Sequence, residues 1–308
     1  MLKVKNLSKN FGTTKAVDNI SLSLEKGAFY GLLGPNGAGK STTINILSTV
    51  LKPDAGSVSI NGFDLLKDPQ KCKQAIGIVP QEIALYEELS AYENLMFWGG
   101  LYNLSGAALK QNINETLELM GLLDRKNDKV TSYSGGMKRR INIAAALLHR
   151  PELLLMDEPT VGIDPQSRNL IFDVLEKLHG DGMTIIYTTH YMEEAERLCN
   201  KIGIIDHGKI IGEGTLDELR ATSNTKDIVK IQTGSLNDIQ IAAMKNHWNE
   251  SVEVQENSIS ISANEGNVSL MDQLEFLNKK EIEIKKVEMI PVNLETIFLN
   301  LTGRTLRD

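Results

Sequence analysis

The stretch Gly34-Pro35-Asn36-Gly37-Ala38-Gly39-Lys40-Ser41 has the spacing G-x-x-x-x-G-K-S. These residue types in this order make a loop that cradles phosphates. Glycines at 34, 37 and 39 let the backbone turn tightly and bring its N–H groups inward. A helix is expected to start at Lys40 and run through Thr42 to Leu47, aiming its positive dipole end at the anion. Lys40 is then placed to reach β- and γ-phosphates, and Ser41 to ligate Mg²⁺. A chance glycine turn has no use for Lys-Ser at that place.

Further stretches carry chemistry of the same kind. Leu153-Leu154-Leu155-Met156-Asp157-Glu158-Pro159 is an apolar run ending in two carboxylates. A carboxylate at the end of a buried strand is costly unless a cation or substrate is near. Asp157 fits a Mg²⁺ shell, and Glu158 fits a general base that orients water on a γ-phosphate. Thr131-Ser132-Tyr133-Ser134-Gly135-Gly136-Met137 precedes a helix expected over Lys138 to Leu148. Ser134 alone makes a simple N-cap, whereas Gly135 and Gly136 beside it add backbone donors suited to a second anion site. His190 follows the apolar run Thr184–Thr189, and at a strand's carboxyl end it reads as a γ-phosphate contact. Phe11 ends an alternating stretch. An aromatic there either stacks on an adenine face or packs in the core, and its position leaves both readings open.

The elements that position these residues are legible from periodicity. Phe29-Tyr30-Gly31-Leu32-Leu33 is expected to be a buried strand feeding the glycine loop, and Ile76-Gly77-Ile78-Val79-Pro80 another, delivering Gln81 to the start of a loop. Leu2–Leu7 and Ile20–Leu24 alternate apolar and polar, as half-buried strands of an antiparallel flap do. Gly56–Gly62 reads as a strand closed by Asn-Gly, and Lys201–Ile211 as a hairpin turning at Asp206–Lys209. From Ser90 to about Leu123 the spacing of Tyr92, Leu95, Met96, Ile113, Leu117 and Met120 turns helical, indicating a helical insertion. Gly162-Ile163-Asp164-Pro165 reads as a tight turn and helix start.

The chain has 308 residues, which predicts about two domains. Polar residues Thr222-Ser223-Asn224-Thr225 indicate a linker, and beyond it the order is β-α-β-β-α-β, with a closing helix over Leu294–Leu301. That order predicts a small ferredoxin-like α+β domain carrying no catalytic constellation. A net charge of −7 argues against a protein that holds nucleic acid electrostatically. No run approaches the about 18 apolar residues of a membrane span, and Met1–Lys5 does not open a signal peptide, so a cytoplasmic chain is expected. Cys72 and Cys199 lie far apart, without ligand spacing, and read as buried small hydrophobes.

Taken together, residues 1 to about 220 resemble the nucleotide-binding subunit of ATP-binding-cassette (ABC) transporters. The glycine loop, Gln81, Ser134-Gly135-Gly136, Asp157-Glu158, Asp164 and His190 occur in that family's order. The resemblance implies an α/β P-loop NTPase fold: a RecA-like core with an antiparallel flap and a helical subdomain at about 85–150. A small α+β accessory domain at 226–308 would follow it. It implies ATP and Mg²⁺ as ligands, Gln81 as a Mg²⁺- and water-sensing residue near a membrane partner, Asp164 among the nucleotide-binding residues, and Phe11 at the adenine-stacking position. It also implies head-to-tail homodimers, in which Ser134-Gly135-Gly136 of one copy closes over ATP held by Lys40 of the other. The closing segment Asn293–Asp308 looks like that of the drug-resistance, daunorubicin-exporter type. Members of that type act with a separate ABC-2 permease, peripheral on the inner face of the membrane. Tyr133 and Met137 depart from the family's usual L-S-G-G-Q turn, so Met137 lacks the amide with which the glutamine would make a polar contact; the drug-resistance type commonly carries this form. An ABC-type ATPase serving as a dimerisation switch or assembly scaffold is the alternative reading.

Overall fold

The computed structural model describes residues 1–222, 228–248, 252–255, 257–262, 270–290 and 293–302. The chain divides into two units, the second spanning Asp217–Gly303 and the first holding Met1–Leu216. Ser223–Thr225 of the expected linker, Val268 at the start of the helix that the sequence predicts over Val268–Leu277, and the closing Gly303–Asp308 lie outside the described residues.

The first unit is built on a six-stranded sheet of order β10-β9-β3-β8-β7-β6. Its strands are β3 (Phe29–Leu33), β6 (Ile76–Val79), β7 (Leu153–Asp157), β8 (Thr184–Thr189), β9 (Lys201–Asp206) and β10 (Lys209–Gly214). All neighbours pair in parallel except the β9–β10 hairpin. Every residue of β3, β7 and β8 is buried. Strands covered on both faces need such continuous apolar runs, which is why they carry no alternation. Because the central strands run in one direction, the residues following β3, β6, β7 and β8 emerge at a single edge of the sheet.

A second, antiparallel sheet of order β2-β1-β4-β5 forms the flap, from β1 (Leu2–Phe11), β2 (Thr14–Leu24), β4 (Ala55–Ile60) and β5 (Phe63–Asp64). In β1 the buried residues are Leu2, Val4 and Leu7, so the alternation slips by one. Asn6, at φ 49°, lies where the β1–β2 register shifts between Val4 and Leu7, and this bulge returns Leu7 to the core side. Asn61-Gly62 and His207-Gly208 take positive φ at both positions, as two-residue type I′ hairpin turns require.

Helices α3 (Ala91–Leu101), α4 (Gly106–Leu119) and α5 (Gly135–Leu147) form the helical insertion. Ser90 and Glu93 close a capping box at the start of α3. The last of these helices begins at Gly135, three residues before the expected Lys138. Ser134 caps it by accepting from Met137 N at 3.3 Å, so the glycine pair lies inside the first turn rather than before it. Three short helices were not expected from the sequence: α2 (Pro69–Ala75), α7 (Met192–Leu198) and α8 (Leu216–Thr222), the last of which takes in Thr222 of the expected linker. α1 (Lys40–Leu47) and α6 (Pro165–Gly180) occupy their expected places.

In the second unit, after α8 (Leu216–Thr222), the strands β11 (Ile228–Thr233), β12 (Val252–Gln255), β13 (Ser258–Ser262) and β14 (Ile284–Ile290) form an antiparallel sheet of order β12-β13-β11-β14. Helices α9 (Asp238–Trp248) and α10 (Leu270–Lys279) connect them, and α11 (Leu294–Thr302) follows. Both the connectivity and the strand order are those of the ferredoxin-like arrangement. Val229, Ile231, Ile259 and Ile261 share a core with Met244, Trp248 and Leu277.

Candidate functional site

The glycine loop joins β3 to α1. Its last glycine, Gly39, has φ 111°, and a Cβ there would stand 2.3 Å from Ala16 O, so no other residue fits. No side chain caps α1. An uncapped helix start whose approach is shaped by glycine is a fitting seat for phosphate oxygens. Ser41 and Thr42 lie in this first turn, half-buried.

Lys40 is only 4% exposed. Its Nζ donates to Gly34 O at 2.7 Å and Pro35 O at 3.0 Å, and lies 2.9 Å from Glu158 Oε1. The same carboxylate oxygen is 3.3 Å from His190 Nδ1, and Glu158 Oε2 accepts from Gln81 Nε2 at 3.5 Å. Thus Lys40, Gln81 and His190, which follow three different strands, converge on the one carboxylate that follows a fourth. Glu158 itself has φ 44°, a conformation costly for a non-glycine residue and held only where its surroundings over-determine it. Thr188 provides part of that restraint: its Oγ1 accepts from Glu158 N at 3.0 Å and donates to Asp157 Oδ1 at 2.7 Å.

Asp157 is buried at the end of β7, with one oxygen engaged by Thr188. Among the described residues no group of three or more His, Cys, Asp or Glu could hold a metal ion on its own. A magnesium seated by Ser41, Gln81 and Asp157 fits that donor set, because this ion usually keeps oxygens from water and substrate phosphates.

The loop after β6 is secured by a residue that sequence reading passed over. Arg139 of α5 donates through Nη1 to Pro80 O at 2.6 Å and through Nη2 to Gln81 O. Burial pulls its guanidinium below the usual arginine range. An arginine inside an alanine-rich helix was the available signal, since a buried guanidinium needs partners of its own. Thr188, Thr189 and Glu194 were likewise missed. Threonines in a β-rich run read as strand formers, and nothing local marks Glu194 as buried.

Two expected participants engage α6 rather than Lys40. Gly136 packs against α6, where a Cβ would come within 2.1 Å of Ser167 Oγ, and Asp164 caps that helix by accepting from Ser167 N at 2.9 Å. This amide, first among several hydrogen bonds, holds the Asp164 carboxyl below the ordinary aspartate value. No hydrogen bond joins Ser134, Gly135 or Gly136 to the glycine loop among the described residues. Phe11 is 51% exposed at the end of β1, so it does not pack in the core; Lys9 Nζ lies 5.8 Å from its ring centroid.

The convergence of one buried carboxylate on the loop lysine, at the carboxyl edge of a parallel sheet, places this chain among the P-loop nucleoside triphosphatases. Residues 17–161 match the ABC transporter family. The chain is 48% identical to a linearmycin resistance ATP-binding protein of Bacillus subtilis, over 100% of each chain. It is 36% identical to a daunorubicin resistance ATP-binding protein of Streptomyces coeruleorubidus, over 98% of this chain and 96% of that one. Among solved structures it is similar to the ATP-binding cassette MJ0796 in a dimeric post-hydrolysis state bound to ADP and Pi. There the identity is 30%, the TM-score 0.63, and the coverage 70% of this chain and 98% of that one. The chain belongs to the ABC transporter family, as an ATP-binding subunit of the drug-resistance type. Subunits of this family bind and hydrolyse ATP, form dimers and work with a membrane permease.

Proposed function

We propose that this subunit powers export of a small drug, antibiotic or lipid-like molecule through a separate permease of the ABC-2 type. Residues 1–220 act as the nucleotide-binding domain and 226–308 as an accessory domain. The observation that carries the reading is the convergence of Lys40, Gln81 and His190 on Glu158. Glu158 takes the proton of the attacking water, and His190 holds the γ-phosphate. Lys40, Gly34–Gly39 and Thr42 hold the triphosphate, while Phe11 offers its exposed face to the adenine. Ser41, Gln81 and Asp157 seat magnesium, which when bound neutralises charge on the β- and γ-phosphates. Ser134, Gly135 and Gly136 donate across the dimer to the nucleotide of the other copy, with Asp164 beside them. That Ser134, Gly135 and Gly136 make no hydrogen bond to the glycine loop of their own chain among the described residues is in keeping with this trans role.

Among the described residues no helix is long and apolar enough to cross a membrane, and the permease supplies the attachment in this reading, on the cytoplasmic face. A groove of about 490 Å³, lined by Val50, Ile78, Trp98, Leu101 and Tyr102, suits the permease contact. Its rim exposes Val50 and Leu101, apolar side chains in need of a cover.

Glu158→Gln tests the reading. Turnover should fall about 10²–10⁴-fold, the contribution of a general base, while ATP still binds and still drives dimerisation in size exclusion. Half of the activity surviving would mean that another group is the base. No dimer under any nucleotide condition would remove the trans role of Ser134.

A further inference from the structure

Glu194, on α7, plays no part in the chemistry above, yet it is a carboxylate only 2% exposed. A buried carboxylate persists only where donors surround it. Oε2 accepts from Tyr187 OH at 2.9 Å and Thr189 Oγ1 at 2.9 Å, and Oε1 accepts from Thr160 Oγ1 at 2.7 Å. Arg168 of α6 brings its Nε to 3.9 Å from Oε1. Thr160, Tyr187 and Thr189 are themselves buried. Burial first, and the Glu194 charge second, push the Tyr187 phenol well above its ordinary value, so it remains a donor.

The positions of these donors give the cluster its meaning. Thr160 lies two residues beyond Glu158, and Thr189 immediately precedes His190. Thr189 also accepts from Tyr191 N at 2.9 Å through Oγ1, and its carbonyl accepts from Gly34 N at 3.3 Å at the start of the glycine loop. One carboxylate therefore ties together the segment after β7, the segment after β8 and, through Thr189, the entry to the loop. Glu158, in its costly left-handed conformation, gains a second anchor beyond Thr188.

We infer that Glu194 is a positioning residue of the hydrolysis reaction, fixing the separation of Glu158 and His190 from behind through Thr160 and Thr189. The inference rests on the roles proposed above for Glu158 and His190. A carboxylate meets three hydroxyl donors at once, whereas alanine releases all three, and the two segments then drift independently. A glutamine keeps one acceptor oxygen and can donate to a hydroxyl that turns to accept, so it preserves part of the bridge.

The test compares the full-length parent with Glu194→Ala, Glu194→Gln, Thr160→Val and Glu158→Gln, at protein concentrations where the parent dimerises. In Glu194→Ala, kcat for ATP should fall by about 10²-fold, the scale of a misplacement near 1 Å. KM and nucleotide affinity should hold, because Lys40 and the loop are retained, and Glu194→Gln should recover much of the lost kcat. Thr160→Val removes one hydroxyl at nearly constant shape, so it should lower kcat alone, even if the alanine variant fails to fold. A folded Glu194→Ala with parental kcat, or a Thr160→Val with parental kcat, overturns the inference. So does a glutamine variant as impaired as alanine in both kcat and nucleotide affinity. If Glu158→Gln retains turnover, the assignment of the base fails instead, which separates the two ideas.

Discussion

The two units of this chain both cover a sheet with helices, but they treat charge in opposite ways. In the first, Lys40, Arg139, Asp157, Glu158 and Glu194 are all buried; in the second, the buried polar residues among those described are Thr233 and Gln273, neither charged. Parallel strands sunk on both faces bring several carboxyl ends to one edge, where backbone and hydroxyl donors can hold charges away from water. The antiparallel sheet of the second unit alternates buried Val229 and Ile231 with less buried Lys230 and Gln232, so charge stays on its solvent side. Buried, mutually held charge thus marks the candidate site in the first unit, and the described residues of the second unit carry none of it.

Trp98 and Trp248 are the two tryptophans, one in each unit, so Trp248→Phe or Trp98→Phe backgrounds report each unit separately by fluorescence. The sharpest challenge to the contrast is Lys40→Met, which leaves Glu158 buried without its main counter-charge. Breaking a buried pair by removing one partner costs about 3–5 kcal/mol, and the loss should appear at Trp98. Adding Glu158→Gln should restore much of it, since a neutral pair no longer demands compensation. No recovery in the double variant would show that the pair is not the reason these charges tolerate burial. Ile231→Ala should act in the other unit. It empties a fully buried site in a small core and should cost about 2–3 kcal/mol, toward the lower end for such truncations. Its effect should appear at Trp248, with ATP turnover at the parental rate. Equal losses at both tryptophans for either variant would mean that the units melt as one, and lost turnover in Ile231→Ala would give the second unit a part in catalysis.

Much of this contrast is legible in the sequence, and what is not has a physical reason. Leu153–Asp157 and Thr184–Thr189 announce buried strands by composition, and the glycine loop announces its helix. The sequence places the start of α5 three residues later than Gly135, although Ser134 already reads as an N-cap, because glycine is a poor helix former and the pair reads as a turn before the helix. α7 was missed because it is a seven-residue helix, too short for periodicity to emerge. The convergence on Glu158 could be anticipated only as separate motifs. Its supports, Thr188 and Glu194, act across the sheet from residues 30 and more positions away in the chain, and periodicity carries no record of such contacts.

The smallest expected effect is acid sensitivity, and it tests the contrast on exposed groups. In the first unit four carboxyls are held below their ordinary values: Asp54 chiefly by Lys9, Glu93 by the Ser90 amide, Glu115 by Gln111 and Asp164 by the Ser167 amide. In the second unit, among the described residues, Glu288 beside Lys286 is so held. Two caps there, Asn237 accepting from Gln240 N and Asn293 accepting from Thr296 N, carry no charge to lose. A carboxyl whose folded pKa is depressed contributes stability above its unfolded value and loses it as pH falls through the folded one. Little should change from neutral pH down to about 5; below the ordinary values of 3.8 for Asp and 4.5 for Glu, the urea midpoint at Trp98 should fall before that at Trp248. Asp164→Asn keeps an acceptor at the start of α6 at every pH, so it should flatten the Trp98 response slightly and leave Trp248 alone. If both tryptophans report the same acid profile, or if Trp248 responds first, the first unit is not where titrating contacts hold the fold.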